Sequence, residues 1–343
     1  MASFVQFLTA NRGTFDLNRF RIGHDLACTV ATPRFETSDN LIFLVFDKHS
    51  NSPVLVGKIS RFGQDASNAL REAENLAALE TAGIDVSAPR LVAIGQFCGN
   101  ALLLETGVGG TMMSPSVVRS NRERCVRRVL RWLVQLALAT RKQSTDCALW
   151  FDREIQPCLT TLQASIACSR SEVHVIESAA NALRSRNNLS LVMEHGDCGH
   201  PNILVNRVGF VSVVDWESAL RCGIAAADLF FFLSFVASAM DGAQTVAQHL
   251  RAFERTFFRR NSWARKHIKT YVEQTDFDSG LLLPVFVLTW CRYLSARLAR
   301  VRARCAGAEP TMEQIQSDRY YAFMRYTLEN VRDLAWMQFL EGE

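Results

Sequence analysis

The run Glu194-His195-Gly196-Asp197-Cys198-Gly199-His200-Pro201-Asn202-Ile203-Leu204-Val205, followed one short turn later by Val213-Val214-Asp215-Trp216-Glu217, constrains this chain more than any other stretch. Two β-rich pieces, Ile203–Val205 and Phe210–Val214, flank Asn206-Arg207-Val208-Gly209 and read as a hairpin. Asp197 and Asn202 precede its first strand, and Asp215 closes its second. One carboxylate is thereby available to position a hydroxyl and take its proton. An amide and a second carboxylate offer hard oxygen ligands to a divalent cation such as Mg²⁺. These are the parts that phosphoryl transfer from a nucleotide requires.

With 343 residues, 48% of them hydrophobic and 21% charged, the chain has material for two lobes with a sizeable core, and disorder is not expected. Its longest apolar runs, Leu229 to Met240 and Leu281 to Trp290, fall short of the roughly 20 residues of a membrane span and read as core helices. No charged and then apolar leader follows Met1, so a cytoplasmic location is expected. The ten cysteines form no C-x-x-C pair, which argues against a zinc ribbon or a disulfide framework. Cys198 lies inside the motif without an evident base to activate it, so a buried thiol is the simpler reading.

The net charge of +4 is concentrated between residues 251 and 304, where Arg251, Arg255, Arg259, Arg260, Arg265, Lys266, Lys269, Arg292, Arg297, Arg300, Arg302 and Arg304 outnumber four acids. A solvated helix face is the ordinary reading of such a run, and an anionic ligand the sharper one. No aromatic-basic recognition motif accompanies the charge, so nucleic acid is not expected as a partner.

Residues 26 to 62 read as three strands, Ala27 to Thr32, Leu41 to Phe46 and Pro53 to Ile59. Ala69, Ala73, Leu76, Ala77 and Leu79 follow near helical spacing from Ser67 to Thr81, and Gly83 ends the run. A second hairpin, Leu91 to Phe97 and Ala101 to Glu105, runs into Gly107-Val108-Gly109-Gly110. Beyond Ser114 the apolar residues take helical spacing, as in Arg124 to Arg141, in residues 152 to 186 and after Asp228. The expected class is α+β, with a small β-rich lobe over residues 1 to 106 and a mainly helical lobe over 107 to 343.

His195-Gly196-Asp197, Asn202, Ile203-Leu204-Val205 and Asp215-Trp216-Glu217 together resemble the aminoglycoside phosphotransferase and choline kinase-like family, whose fold is that of the protein kinases. The resemblance covers residues from about 25 to 235. It implies ATP and Mg²⁺ as cofactors, Asp197 as catalytic base, Asn202 and Asp215 as metal ligands, and Asp228 in an Asp-Leu pair as a support for the helical lobe. It further implies that Lys58, in Val54-Leu55-Val56-Gly57-Lys58-Ile59, contacts nucleotide phosphates and that an acid of Arg71-Glu72-Ala73-Glu74 pairs with it; Glu72 is preferred because it follows the arginine. Leu103-Leu104-Glu105-Thr106-Gly107 resembles the hinge between lobes, so Glu105 and Gly107 are expected at the nucleotide through backbone groups. No G-x-G-x-x-G is present, and the nearest equivalent is the turn Thr37-Ser38-Asp39-Asn40. Cys198-Gly199-His200-Pro201 departs from the family pattern, with proline one position late.

Asp197, Asn202 and Asp215 each have an ordinary reading as a cap or turn residue, but their occurrence together with Lys58 and Glu72 in family order favours a site. His195 reads as a brace for the loop, and His200 as an exposed residue that could meet phosphate or acceptor. The expected activity is transfer of the γ-phosphate to a hydroxyl of a small molecule, such as a sugar, an amino alcohol or an aminoglycoside-like acceptor. The arginine-rich segment argues mildly against a polycation if it approaches the cleft. A nucleotide-binding or scaffolding pseudokinase is the alternative. A peptide substrate is disfavoured because no activation segment separates Asp215 from Asp228. Oligomeric state is not legible.

Overall fold

The computed structural model describes residues 3–31, 40–60, 66–84, 87–304 and 309–338. The chain forms two compact units, one of residues 1–113 and 195–221, the other of 114–194 and 222–343. This differs from a division at 106/107 because the central hairpin pairs with the stretch that ends the first unit.

In the first unit, α1 (Phe4–Ala10) starts at a capping box in which Ser3 and Gln6 satisfy each other's backbone amides. Five antiparallel strands come next, β1 (Leu26–Ala31), β2 (Asn40–Asp47), β3 (Leu55–Ser60), β4 (Leu91–Phe97) and β5 (Asn100–Thr106), in the order β1-β2-β3-β5-β4. Alternation divides β3 and β5 between two faces. Leu55, Ile59, Leu102 and Leu104 join Phe43, Val45, Phe4, Leu8, Phe15, Leu17 and Ile22 in one apolar core. Lys58 and Glu105 fall on the opposite face. No element is expected from sequence before residue 26, yet α1 and the turns after it close one side of this sheet.

Helix α2 (Ser67–Thr81) crosses from β3 to β4 and buries Glu72, Ala73, Asn75, Leu76 and Leu79. Two polar residues thus lie on its inner face. The short β6 (Thr111–Met112) then pairs with the later β9 (Ile203–Val205), Thr111 opposite Val205 and Met112 opposite Leu204. That pairing draws the motif hairpin into the first unit.

The second unit holds α3 (Pro115–Ser120), α4 (Arg122–Thr140), β7 (Lys142–Ser144), α5 (Cys147–Glu154), α6 (Gln156–Ser165), α7 (Arg170–Arg184) and β8 (Leu189–Glu194). After β9, β10 (Val211–Val213) and β11 (Leu220–Ile224) come α8 (Ala227–Asp241), α9 (Val246–Phe257), α10 (Ala264–Thr275), α11 (Leu282–Arg304), α12 (Met312–Gln316) and α13 (Arg319–Glu329). Helix α8 is buried nearly all round, Phe230, Phe231 and Phe232 included. An aromatic cluster joins α8, α9, α11 and α13, with Phe253 stacked on Phe323 at 4.2 Å between centroids and Phe286 edge-on to Phe230 at 4.9 Å.

Among the described residues one helical stretch, Ser279–Ala303, is long and apolar enough to cross a membrane, longer than the apolar run read from sequence. Of its apolar window 67% is buried inside the protein, as in a core helix. Several cations of the arginine-rich segment pair with nearby acids. Arg255 pairs with Asp241, Arg259 with Glu254, Lys266 with Glu123, Arg297 with Asp318 and Arg302 with Glu309, while Arg265 lies over the Trp336 ring.

Candidate active site

Lys58, Glu72, Glu105, Gly107, Asp197, Asn202 and Asp215, the residues expected at the nucleotide, the metal and the reacting group, all lie in the first unit, and Asp228 lies in the second. Lys58 is buried at the centre of one group. Its Nζ lies 2.5 Å from Glu72 Oε1, 3.3 Å from Glu105 Oε1 and 3.6 Å from Asp215 Oδ1. Glu74, two residues along α2, points instead to solvent and pairs with Arg221 at 3.1 Å. Burial alone would favour a neutral amine, but Glu105, Glu72 and Asp215 override it and hold the Lys58 pKa well above the usual lysine range.

The acids share one ammonium, and burial dominates for both of the deeply buried ones. The Glu72 carboxyl is raised by burial against the pull of Lys58 and of the Trp216 N–H. Burial pushes the Glu105 carboxyl up to about 8, with Lys58 opposing the shift. Glu105 Oε2 has no hydrogen-bond partner among the described residues, which adds to the cost of its charge. The hinge reading assigned position 105 a backbone role; its side chain instead faces Lys58. Gly107 N–H donates to Val54 O at 2.9 Å, so a purine held beside this stretch would have to use other backbone groups.

The second group is the loop between β8 and β9. Gly196 has φ +79°, and a Cβ there would collide with Ser218 O, so only glycine fits between His195 and Asp197. Asp197 N–H donates to His195 Nδ1 at 3.1 Å, and His195 Nε2 reaches Val214 O at 2.9 Å. These partners require the Nε2–H tautomer. Burial pushes the ring's pKa down to about 4, which keeps it neutral, and it packs edge-on against Trp216 with centroids 4.6 Å apart. Asn202 Nδ2 donates to Asp197 Oδ2 at 3.0 Å and to Asp197 O at 3.1 Å.

The hairpin joins the two groups. Ile203 pairs with Val213, and Val214 N–H donates to Asn202 O at 3.0 Å, so Asp215 emerges directly beyond Asn202. Asp215 takes a left-handed conformation, φ +71°, in which Asp is tolerated better than most residues. Helix α2 holds the residues beyond it. Trp216 N–H donates to Glu72 Oε1 at 2.9 Å, and Asn75 Nδ2 donates to Trp216 O at 2.9 Å and Ala219 O at 3.3 Å.

Carboxylate oxygens of Glu72, Asp215 and Glu217 lie within 4.8 Å of one another, and Glu217 Oε2 also meets Asn40 Nδ2 at 3.4 Å. These three carboxylates form an all-oxygen donor set, which suits Mg²⁺ rather than a softer metal. Sequence reasoning passed over Glu217 and Asn75. The signal for Asn75 was available, since it lies three residues after Glu72 and so on the same helix face. The expected turn Thr37-Ser38-Asp39-Asn40 lies outside the described residues except for Asn40.

A β-rich unit bearing a buried Lys–Glu pair and an Asp–Asn–Asp hairpin defines a kinase-like fold. Residues 34–265 match the family model described as "APH: Phosphotransferase enzyme family", and the chain belongs to that family. Among solved structures the chain is similar to a protein assigned as fructosamine-3-kinase from Haemophilus somnus 129PT, at 14% identity over 89% of this chain and 92% of that one, with TM-score 0.54. It is also similar to the GDP complex of wild-type aminoglycoside 2'-phosphotransferase-IIIa, at 13% identity over 96% and 98% of the two chains, with TM-score 0.50. No curated protein matches the sequence.

Proposed function

We propose that this phosphotransferase moves the γ-phosphate of ATP to a hydroxyl of a small molecule, with Asp197 as catalytic base. The observation that carries this reading is the Asp197–Asn202 pair, set on the same hairpin as Asp215. Asp197 is half-buried and accepts from Asn202 at one carboxylate oxygen, a contact that orients the group to take a hydroxyl proton. Asn202 and Asp215 would hold Mg²⁺, with Glu217 beside them, and the ion when bound would neutralise charge on the phosphates. Lys58, held charged by its acids, is the group that would meet the nucleotide phosphates.

The neutral His195 anchors the Asp197 amide and fixes the loop without taking part in proton transfer. The two structural neighbours are named for small-molecule substrates, fructosamine and aminoglycoside, which supports an acceptor of that size here. Residues 1 to 106 are read as the nucleotide-binding lobe, with backbone near Glu105 and Gly107 at the base, and 107 to 343 as the catalytic and acceptor-binding lobe.

The test is transfer of labelled γ-phosphate from ATP and Mg²⁺ to a panel of aminoglycosides, amino alcohols and sugars. Wild type labels one class of acceptor, and Asp197→Asn binds nucleotide but labels none. Equal turnover by Asp197→Asn would remove Asp197 from the base role. A wild type that neither binds nucleotide nor labels any acceptor would replace this reading with the pseudokinase one.

A further inference from the structure

The chain leaves the second unit after Glu194 and rejoins it at Cys222, and the residues between carry Asp197, Asn202, Asp215 and Glu217. One side chain ties both stems of that segment. The Glu194 carboxylate is buried at the end of β8 and accepts from Arg292 of α11 through two contacts, Nη1 to Oε1 at 3.1 Å and Nη2 to Oε2 at 2.9 Å. Its Oε1 also accepts from the Ile224 N–H on the returning stem. Gly223 makes the approach possible, because a Cβ there would collide with both Glu194 Cγ and Oε1.

We propose that Glu194 and Arg292 are positioning residues that set the register of the two stems and so the reactive geometry of Asp197. The inference rests on the kinase reading for its catalytic consequence. A buried ion pair is a poor way to add stability, since apolar side chains of similar volume commonly do as well. What the pair supplies is register. A slip of β8 by one residue would carry Met193 to Arg292 and displace the loop by about 3.3 Å. A displacement of about 1 Å already costs on the order of 100-fold in rate.

The experiment compares wild type, Glu194→Gln and the double variant Glu194→Leu/Arg292→Met, using ATP with Mg²⁺ and the release of inorganic phosphate, alongside backbone amide exchange over residues 195–205. The double variant is expected to melt like wild type, to lose roughly 10- to 100-fold in kcat at nearly unchanged KM for ATP, and to exchange faster in 195–205 alone. Glu194→Gln keeps the contact with Ile224 but weakens the one with Arg292, and falls between. Unchanged kcat and exchange in a folded double variant would overturn the proposal. So would losses that merely track global unfolding. A wild type that neither binds nucleotide nor turns over ATP counts against the kinase reading instead, and the exchange data still decide whether the pair sets the loop.

Discussion

The Asn202 amide donates twice to Asp197, at 3.0 Å to the carboxylate and at 3.1 Å to the backbone carbonyl. With the nitrogen so engaged, the amide oxygen is directed away from Asp197 and is free for a cation. Asn202→Asp sets a second carboxylate against the first, and like charges raise pKa. The acid limb of the rate–pH profile should therefore move upward, and transfer at neutral pH should fall. An unmoved limb would show that the two side chains do not interact during the reaction.

Asn75 is buried and joins α2 to the carbonyls of Trp216 and Ala219. Asn75→Ala removes both of these bonds; Trp216 O keeps the Ala219 N–H at 3.2 Å, while Ala219 O loses its Asn75 donor, at a cost of about 1–3 kcal/mol. Urea denaturation should register that loss, and activity should fall by more than the folded fraction accounts for, because the same contacts frame Asp215 and Glu217.

Glu105 gives an opposite-signed pH test. Its folded pKa of about 8 lies above the ordinary carboxyl value of 4.5, so the folded state holds a proton that the unfolded state releases. Stability from this group is present at low pH and is lost as pH rises toward and through 8. Glu105→Gln should match wild type in melting temperature near pH 4.5 and exceed it by a margin that grows as pH rises to about 8 and levels off above it. A variant less stable at neutral pH would instead mark Glu105 as a charged partner of Lys58.

His195 works in the other direction. Its folded pKa of about 4 lies below the ordinary imidazole value of 6.5, so the unfolded state takes up a proton that the folded state refuses. Stability should decline as pH falls from 6.5 toward 4, by about 3 kcal/mol in all. Denaturation curves at pH 7 and pH 4.5 for wild type and His195→Gln check this, since the variant should lose less between the two pH values.

Much of the fold was legible because its signals are local. Alternating residues announced the strands around Lys58, helical spacing announced α2 and the helices beyond Ser114, and the hairpin from Ile203 to Val214 was marked by its polar turn. The membership of Asp197, Asn202 and Asp215 in one neighbourhood came from the same hairpin. The inward Glu105 side chain was not read, although its parity along β5 places it on the face of Lys58. Helix α1 was also missed, being short and set among polar turns.

By itself, then, the sequence settles which residues can form strands and helices and which reactive groups a tight turn brings together, because those depend on neighbours a few positions apart. Tertiary packing alone decides which charges meet: Glu105 with Lys58, Asn75 with the backbone beyond Asp215, and Glu194 with Arg292 across 98 positions. A buried charge or amide takes whatever partner lowers its cost of leaving water, and that partner is set by where the chain folds back, not by spacing along it.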